Sequence, residues 1–304
     1  MPTYPPDIWF PNINIWFQRV PRHVFSIGDF GIYWYAVMII LGIITSSLLA
    51  FWYAGKTGQK VSDYMDLLLL GLVLAFIGLR TYYLVFNWDL YRGRPLLNTL
   101  FNLREGGLAI YGGIIGALLA AVIISWRKKI PLTTITDTAG PSLALGQAVG
   151  RIGNFFNREA FGGYTNNLFA MRIRVDQAFY TTPELLARVH EFMGVEYMQV
   201  HPTFLYESVF NFLLVAALVI YRPYKRFDGE MIFLYMFGYG VARFIIEGLR
   251  TDQIIFRNTG LPVSQIVSVL FVIFAAVMLV RGYFGWNKPK AAPVRTKKQK
   301  RKRR

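Results

Sequence analysis

The 304-residue sequence contains no cysteine, only three histidines and few charged side chains. Without cysteine the chain can form no disulfide, no thiolate metal site and no cysteine nucleophile. Charged residues make up 16% of the sequence, whereas a soluble domain carries about a quarter. The sequence also shows no metal-ligand spacing, no phosphate-binding loop and no Gly-x-Ser-x-Gly motif. We therefore expect no metal, no cofactor and no nucleophile belonging to the chain itself.

Long uncharged runs indicate the class of protein. Residues 30–55, 106–126 and 258–280 contain no charged side chain, and each run is long enough to cross a bilayer as a helix, which takes about 20 residues. The sequence therefore predicts an all-α polytopic membrane protein. We place seven transmembrane helices at about 30–53, 66–86, 107–126, 132–150, 203–221, 230–247 and 261–281.

The lysines predict the orientation of these spans. All eleven lie in four places: Lys56 with Lys60, Lys128 with Lys129, Lys225, and the tail from 288 to 302. Lysine and arginine mark the cytoplasmic side, so the N-terminus is expected outside and the C-terminus inside. The net charge of +16 then reflects a basic tail near anionic lipid rather than a nucleic-acid partner.

The domain organisation follows from this path. We predict an interfacial N-terminal arm at 1–29, a transmembrane domain at 30–283 and a basic cytoplasmic tail at 284–304. An extracytoplasmic head is inserted at 157–202, and Pro183 is expected to begin a short helix there, PELLARVHEFMG. No internal repeat of the kind found in many transporters is present.

Ionisable residues inside the predicted spans indicate a functional site, because they are costly in lipid and face the bundle interior. The segment GRIGNFFNREAFGG at 150–163 lies at the outer end of the fourth span, and most of the ionisable residues share its depth. We predict a polar cavity open to the outer leaflet. The ionisable residues of the spans are Arg80, Asp137, Glu207, Arg243 and Glu247.

Helical spacing groups several candidates on common faces. Arg243, Glu247 and Arg250 are spaced i, i+4 and i+7, as are Gln147, Arg151 and Asn154. The planar fork of arginine suits a phosphate, so two such helix ends would suit an anionic lipid head group. The alternative is that Arg243 and Glu247 simply neutralise each other.

Two further segments place polar side chains near the predicted cavity. REGGLAIYGG at 104–113 begins the third span with glycines that allow close packing, and it directs Tyr111 towards the cavity. HPTFLYES at 201–208 begins the fifth span with His201, followed by Tyr206 and Glu207.

The run GRIGNFFNREAFG resembles the signature of the bacterial prolipoprotein diacylglyceryl transferase family. Further segments match that family in order, and together they cover about 34–250. They are WYAVM at 34–38, GLRTYYLVF at 78–86, REGGLAIYGG at 104–113, HPTFLYE at 201–207 and YGVARFIIEGLR at 239–250.

The resemblance implies transfer of the diacylglyceryl group of phosphatidylglycerol to the lipobox cysteine of a prolipoprotein. A thioether would form and glycerol phosphate would be released. The expected partners are phosphatidylglycerol, the prolipoprotein lipobox peptide and membrane lipids, without nucleic acid. The expected location is the bacterial cytoplasmic (inner) membrane, with the active site towards the outer leaflet.

The resemblance also implies roles for individual residues. Arg151 and Arg243 look like the phosphate-holding arginines, Tyr35 like a residue of the cavity wall, and Arg80 joins the predicted substrate-binding group. The residues expected to support or orient the substrate are Asn154, Glu159, Glu247 and Arg250.

The base that accepts the thiol proton stays open. Many members of the family have histidine at the position of Tyr111, whose unperturbed pKa is about 10. His201 is our first alternative because the unperturbed pKa of histidine is near neutral. Glu207 is the second, and the arginines could also lower the pKa of the thiol without a dedicated base.

The principal alternative function is a transporter or flippase for an anionic lipid or metabolite. Such a protein would also place arginines in a polar cavity. It would, however, be expected to have broken helices at matching positions of two halves and polar groups at both membrane faces. The sequence shows no such broken helices, and most of its intramembrane polar groups lie at the predicted outer face.

Overall fold

The computed structural model describes residues 4–28, 30–93, 95, 99–100, 106–256 and 259–285. The predicted tail from residue 286 onwards and Arg104 and Glu105 of the 104–113 segment lie outside the described residues. The chain forms two compact units. Among the described residues, the first unit covers those up to Ser46 and from Gly140 onwards, and the second covers those of Ser47–Ala139.

Helices make up most of the described chain, and five of those described are long and apolar enough to span a membrane: α1, α2, α4, α7 with the turn that follows it, and α9. This confirms a mostly helical, multi-pass membrane protein. The helices are α1 (Trp34–Lys56), α2 (Val61–Phe86), α3 (Trp88–Tyr91), α4 (Ile110–Lys128), α5 (Leu132–Asn157), α6 (Pro183–Leu186), α7 (Thr203–Tyr221), α8 (Glu230–Glu247) and α9 (Val263–Tyr283).

The other two predicted spans coincide with α5 and α8, which are less apolar than the five. Helix α5 carries Asp137 and Arg151, and α8 carries Glu230, Arg243 and Glu247. Charged groups lower the apolar character by which a span is recognised, so the seven-span arrangement stays a prediction.

The all-α prediction is wrong for the predicted arm and head, because both contribute strands to one antiparallel sheet of order β2-β1-β5-β7-β6. A separate hairpin, β3-β4, precedes α1. The strands are β1 (Ile8–Phe10), β2 (Ile15–Phe17), β3 (His23–Ile27), β4 (Phe30–Tyr33), β5 (Met171–Arg174), β6 (His190–Phe192) and β7 (Val195–Val200).

The core of this sheet joins the start of the chain to residues far along it. Ile8, Phe161, Ile173 and Val200 are fully buried together. The N-terminal arm predicted at 1–29 therefore contains β1 and β2, and its position at the membrane interface stays a prediction.

Two predicted helix boundaries also need correction. The first span begins at Trp34, because residues 30–33 form a strand. The predicted helix at 183–194 ends at Leu186, and β6 follows it. Met193 and Gly194 both have positive φ, which is the two-residue turn that joins antiparallel strands, so this segment forms the β6–β7 hairpin.

In the second unit, glycines bring α2 and α4 into direct backbone contact. A Cβ added at Gly78 would lie 2.2 Å from the carbonyl oxygen of Gly112, and one added at Gly116 would lie 2.1 Å from that of Leu74. Small residues at such crossings let helices pack closely in lipid. This contact fixes the helices that carry Arg80 and Tyr111.

Candidate functional site

The first unit contains a cluster of arginines and glutamates from α5, α7 and α8. Glu207 lies between two arginines: its Oε1 is 2.8 Å from Nη2 of Arg151, and its Oε2 accepts a hydrogen bond from Nη1 of Arg243 at 3.0 Å. Nη2 of Arg243 also lies 2.6 Å from Oε2 of Glu247. Arg243 and Glu207 therefore link three helices through charge.

The glutamates of this cluster are more deeply buried than its arginines. Glu207 and Glu247 are each 2% exposed, whereas the side chain of Arg151 is 25% exposed and that of Arg243 is 15% exposed. Oε1 of Glu207 and Oε2 of Glu247 have no aligned hydrogen-bond donor, so electrostatic attraction accounts for those two contacts. The two carboxylates therefore lie at the buried side of the cluster, and the two guanidinium groups lie at its solvent-accessible side.

Helix α7 places Glu207 in this position. It begins directly after Pro202, and its inward face carries Glu207 and Ser208. The hydroxyl of Ser208 donates to the carbonyl oxygen of Ala148 at 2.7 Å, which ties α7 to α5 close to Arg151. On α8, Arg243 and Glu247 are one turn apart and meet as an i, i+4 pair.

The end of α5 brings the predicted supporting residues together. The helix ends at Asn157, and Arg158 and Ala160 then adopt positive φ, which turns the chain back. Oε1 of Glu159 accepts hydrogen bonds from Nδ2 of Asn154 at 2.9 Å and from Nδ2 of Asn157 at 3.1 Å. Asn154 and Glu159, two of the residues expected to support the substrate, are therefore in direct contact.

Tyr35 of α1 lies against the same helix end. A Cβ added at Gly153 would be 2.9 Å from Cδ2 of Tyr35, so this glycine makes room for the ring. The ring lies close enough to Glu159, Arg151 and Arg250 to be within range of their charges. Tyr35 therefore lies against the end of α5, and its part in a cavity wall stays a prediction.

Arg158 has a role that the sequence did not indicate. The residue is 3% exposed, and its guanidinium donates to the carbonyl oxygen of Val20 at 2.6 Å, to that of Phe156 at 3.1 Å and to Asp7 at 3.3 Å. These hydrogen bonds connect the segment that contains the N-terminal strands to the end of α5. Contacts across about 150 residues have no local sequence signal, so only the structure identifies this role.

Gly162 and Gly163 connect the segments that border the cluster. The N–H of Gly162 donates to the carbonyl oxygen of His201 at 2.8 Å, and the N–H of His201 donates to that of Gly163 at 3.0 Å. The N–H of Gly163 donates to the carbonyl oxygen of Leu249 at 3.0 Å, and Gly162 forms a bridge with Arg250. These bonds hold the beginning of α7 and the end of α8 together.

Arg250 does not lie on the helical stripe predicted for it. Helix α8 ends at Glu247, and Arg250 lies in the turn that follows, where its Nε and Nη2 donate to Asp252 at 2.8 and 2.6 Å. Burial opposes the charged form, but the Asp252 carboxylate raises the pKa of Arg250 above its usual range. Arg250 is therefore a firmly cationic residue fixed by a two-point ion pair.

His201 belongs to a separate polar group near the start of α7. Its Nδ1 is 3.4 Å from the hydroxyl of Tyr206 and 3.5 Å from Nδ2 of Asn167. Burial lowers the pKa of His201, so the imidazole is neutral at pH 7. In the part of the chain that the structure describes, no polar contact joins this ring to the arginine cluster.

Arg80 and Tyr111 lie in the second unit. The three guanidinium nitrogens of Arg80 donate to backbone carbonyl oxygens: Nε and Nη2 to Thr99 at 3.2 and 2.8 Å, and Nη1 to Gly106 and to Gly107. Arg80 is fully buried. The ring of Tyr111 lies 6.3 Å from that of Tyr82. The contacts of Arg80 support a structural role, because the fork is already occupied by the backbone.

We expect Arg80→Lys to destabilise the protein without a selective effect on lipid affinity. Lysine has one nitrogen and cannot reach all three carbonyl groups, and each lost hydrogen bond from a charged donor costs about 1.5–3 kcal/mol. Thermal unfolding in detergent should therefore begin at a lower temperature. The same Tm as wild type, together with a higher KM for lipid, would instead assign Arg80 to the substrate site.

The apolar helices and the buried charge cluster together define a multi-pass membrane protein with an arginine-lined polar site. Comparison with known proteins gives the family. The family model described as prolipoprotein diacylglyceryl transferase matches residues 22–281. The chain belongs to this family, and it is a transferase.

Curated relatives agree with this assignment. A phosphatidylglycerol–prolipoprotein diacylglyceryl transferase of Finegoldia magna is 37% identical over 261 residues, which covers 86% of this chain and 95% of the relative. The proteins of the same name from two Bacillus cereus strains, B4264 and G9842, are 34% identical over 266 residues, covering 86% of this chain and 92% of each relative.

Proposed function

We propose that this chain transfers the diacylglyceryl group of phosphatidylglycerol to the lipobox cysteine of prolipoproteins. The observation that carries the proposal is the pair of partly exposed arginines, Arg151 and Arg243, held by one buried carboxylate, Glu207. The names of the relatives supply the substrates, since each relative is called a phosphatidylglycerol–prolipoprotein diacylglyceryl transferase.

In the proposed reaction the cysteine sulfur attacks the terminal carbon of the diacylglyceryl group. A carbon–sulfur bond forms, and the bond from that carbon to the phosphate oxygen breaks. Glycerol phosphate leaves with the bonding electrons, and the thiol proton passes to a base. The nucleophile belongs to the peptide, which agrees with a sequence that contains no cysteine.

The two arginines suit the leaving group. Negative charge grows on the phosphate oxygen as the carbon–oxygen bond breaks, and donors fixed in advance stabilise that charge without reorganising. Glu207 contacts both guanidinium groups from the buried side, so it sets their positions and leaves their accessible side for phosphate. Asn154, Glu159, Tyr35, Glu247 and Arg250 then form the supporting residues of the proposed lipid site.

The proton acceptor is a separate part of the proposal. Both oxygens of Glu207 already face guanidinium groups, which favours positioning over proton transfer. Tyr111 and His201 are the other two candidates, and arginines near the thiol would also increase its thiolate fraction. Single-turnover rates for Tyr111→Phe, His201→Leu and Glu207→Gln, measured against pH, distinguish these candidates.

We also propose seven spans in the bacterial inner membrane, with the N-terminus outside and the site towards the outer leaflet. In support, the described lysines lie at helix ends or in connecting turns. Lys56 ends α1, Lys60 precedes α2, Lys128 ends α4 and Lys225 lies between α7 and α8. Labelling single introduced cysteines from either side of the membrane tests this orientation.

The proposed activity is tested with purified protein in detergent, phosphatidylglycerol and a peptide containing a lipobox cysteine. We expect glycerol phosphate release and an increase in peptide mass equal to one diacylglyceryl group. The matched control is the same peptide with serine in place of cysteine, which should give neither product. Folded protein that modifies none of several lipobox peptides would refute the proposal, and lipid transport would be measured next.

A further inference from the structure

A short loop before β5 holds one asparagine side chain in a defined orientation. The backbone N–H of Asn167 donates to the hydroxyl of Thr165 at 3.2 Å, and its carbonyl oxygen accepts from the N–H of Ala170 at 3.0 Å. Its Oδ1 accepts the backbone N–H of Phe169 at 3.0 Å. Because Oδ1 must be the acceptor in that bond, the other side of the amide, Nδ2, is a donor.

This donor faces Tyr206 and His201. Nδ2 of Asn167 donates to the hydroxyl of Tyr206 at 3.0 Å, and the phenolic oxygen and the amide nitrogen lie 3.4 and 3.5 Å from Nδ1 of His201. Both groups near Nδ1 can donate. The tyrosine oxygen already accepts from the amide, so its proton is available to the ring nitrogen.

A neutral imidazole carries a proton on one ring nitrogen, which donates a hydrogen bond, and the other ring nitrogen accepts one. Two donors beside Nδ1 favour the tautomer in which Nδ1 accepts and Nε2 carries the proton. In the part of the chain that the structure describes, Nε2 of His201 has no hydrogen-bond partner. The lowered pKa of His201 agrees with a ring that stays neutral in this state at pH 7.

We infer that Asn167 and Tyr206 hold His201 as a neutral hydrogen-bond donor, whose Nε2–H binds an acceptor oxygen of the lipid substrate. This inference rests on the proposed function and assigns His201 a binding role in place of proton acceptance. Asn167 and Tyr206 are positioning residues, because they act on the lipid only through the imidazole.

The surroundings favour a lipid as the partner of this donor. His201 lies two residues before α7, a helix apolar enough to enter a membrane, and Leu168 and Phe169 next to Asn167 are both exposed. Phosphate and ester oxygens of a lipid are hydrogen-bond acceptors that lie beside apolar chains, and exposed Leu and Phe side chains gain free energy by contacting those chains. The Nε2–H donor of His201 and the apolar side chains of Leu168 and Phe169 therefore lie in the same region, as binding of a lipid head group requires.

The tautomer can be measured without any activity. The chain has three histidines, so ¹⁵N-histidine labelling gives few signals, and the spectrum of His201→Gln identifies those of His201. We expect Nε2 to show the protonated shift and Nδ1 the unprotonated shift at pH 7.5. In Asn167→Ala the two tautomers should mix. Protonated Nδ1 in the wild-type protein would overturn the inference even if the transferase assay succeeds.

The donor role is tested by two substitutions at one position. Glutamine places an amide N–H near the position of Nε2 and cannot act as an imidazole base, whereas leucine offers no donor. We expect His201→Gln to stay within about threefold of wild type and His201→Leu to raise the KM for phosphatidylglycerol about tenfold, the effect of one net hydrogen bond. The KM for the lipobox peptide should not change.

Three outcomes of this experiment would contradict the inference. Equal loss of kcat in both variants would assign His201 to proton transfer. A raised KM for the peptide instead of the lipid would assign its donor to the peptide, and no change in either variant would remove His201 from the site. Absence of activity in the wild-type protein would refute the proposed function, and the tautomer measurement would still stand.

Discussion

Arg151→Ala is expected to lower kcat by about 100- to 1,000-fold, which is the usual effect of removing one fixed donor to a developing negative charge. The substitution removes the more exposed of the two guanidinium groups that contact Glu207. It also leaves Oε1 of that buried carboxylate without its counterion. Glycerol phosphate release under saturating lipid and peptide measures the effect.

Two variants make this result specific. Arg188→Ala removes an arginine of the head that lies over the ring of Tyr164, and it should keep full activity. Arg151→Lys keeps the charge but not the planar fork, so its rate should lie between those of wild type and Arg151→Ala. If Arg151→Ala kept more than about a third of the wild-type kcat, the phosphate-binding role would be wrong, because a typical neutral hydrogen bond contributes about 1 kcal/mol, which is roughly fivefold in rate.

Gly162→Ala is expected to reduce activity about 100-fold, because displacing a site by roughly 1 Å has an effect of that order. An added Cβ would lie 2.4 Å from the carbonyl oxygen of Leu249, 2.9 Å from Cβ of His201 and 3.1 Å from Cγ2 of Thr203. Two of these neighbours belong to backbone-bonded segments that cannot simply rotate away. The start of α7 and the end of α8 must therefore separate, and stability should fall by about 1–3 kcal/mol.

The adjacent glycine provides the control. A Cβ added at Gly163 would meet no atom within 4 Å, and its backbone hydrogen bonds would persist. Gly163→Ala should therefore keep both the activity and the Tm of wild type. An equal loss of activity in both variants would show that the steric contacts of a Cβ at Gly162 are not the cause. Wild-type activity in Gly162→Ala would show that the glycine bridge does not position the site.

The membrane helices were predictable because twenty apolar residues in sequence have few other stable arrangements. The association of Arg243 with Glu247 was predictable for a similar reason, since helical periodicity alone places i and i+4 together. The role of Glu207 between Arg151 and Arg243 was not predicted. Those three residues come from different helices, and helix packing, which brings them together, has no local sequence signal.

The β-sheet was missed for a related physical reason. Short strands of three to six residues contain little periodicity, and tertiary pairing decides whether they form. The segment from 190 to 194 illustrates this, because the helix predicted from Pro183 onwards competes with a tight turn at Met193 and Gly194. The register of His190 opposite Tyr197 is set by that turn.

The pairing of the first strands with the head has a consequence for how the protein is made. Pro6 accepts a hydrogen bond from Tyr197, which lies 191 residues later, and Asp7 meets Arg158 after 151 residues. At a synthesis rate of about 5–20 residues per second, the N-terminal strands wait many seconds for their partners. Throughout that time β1 and β2 are a hairpin without a neighbouring strand, and such isolated hairpins are marginally stable. A bulky N-terminal fusion would therefore act during biosynthesis, reducing the yield of folded protein while leaving the activity of each folded molecule unchanged.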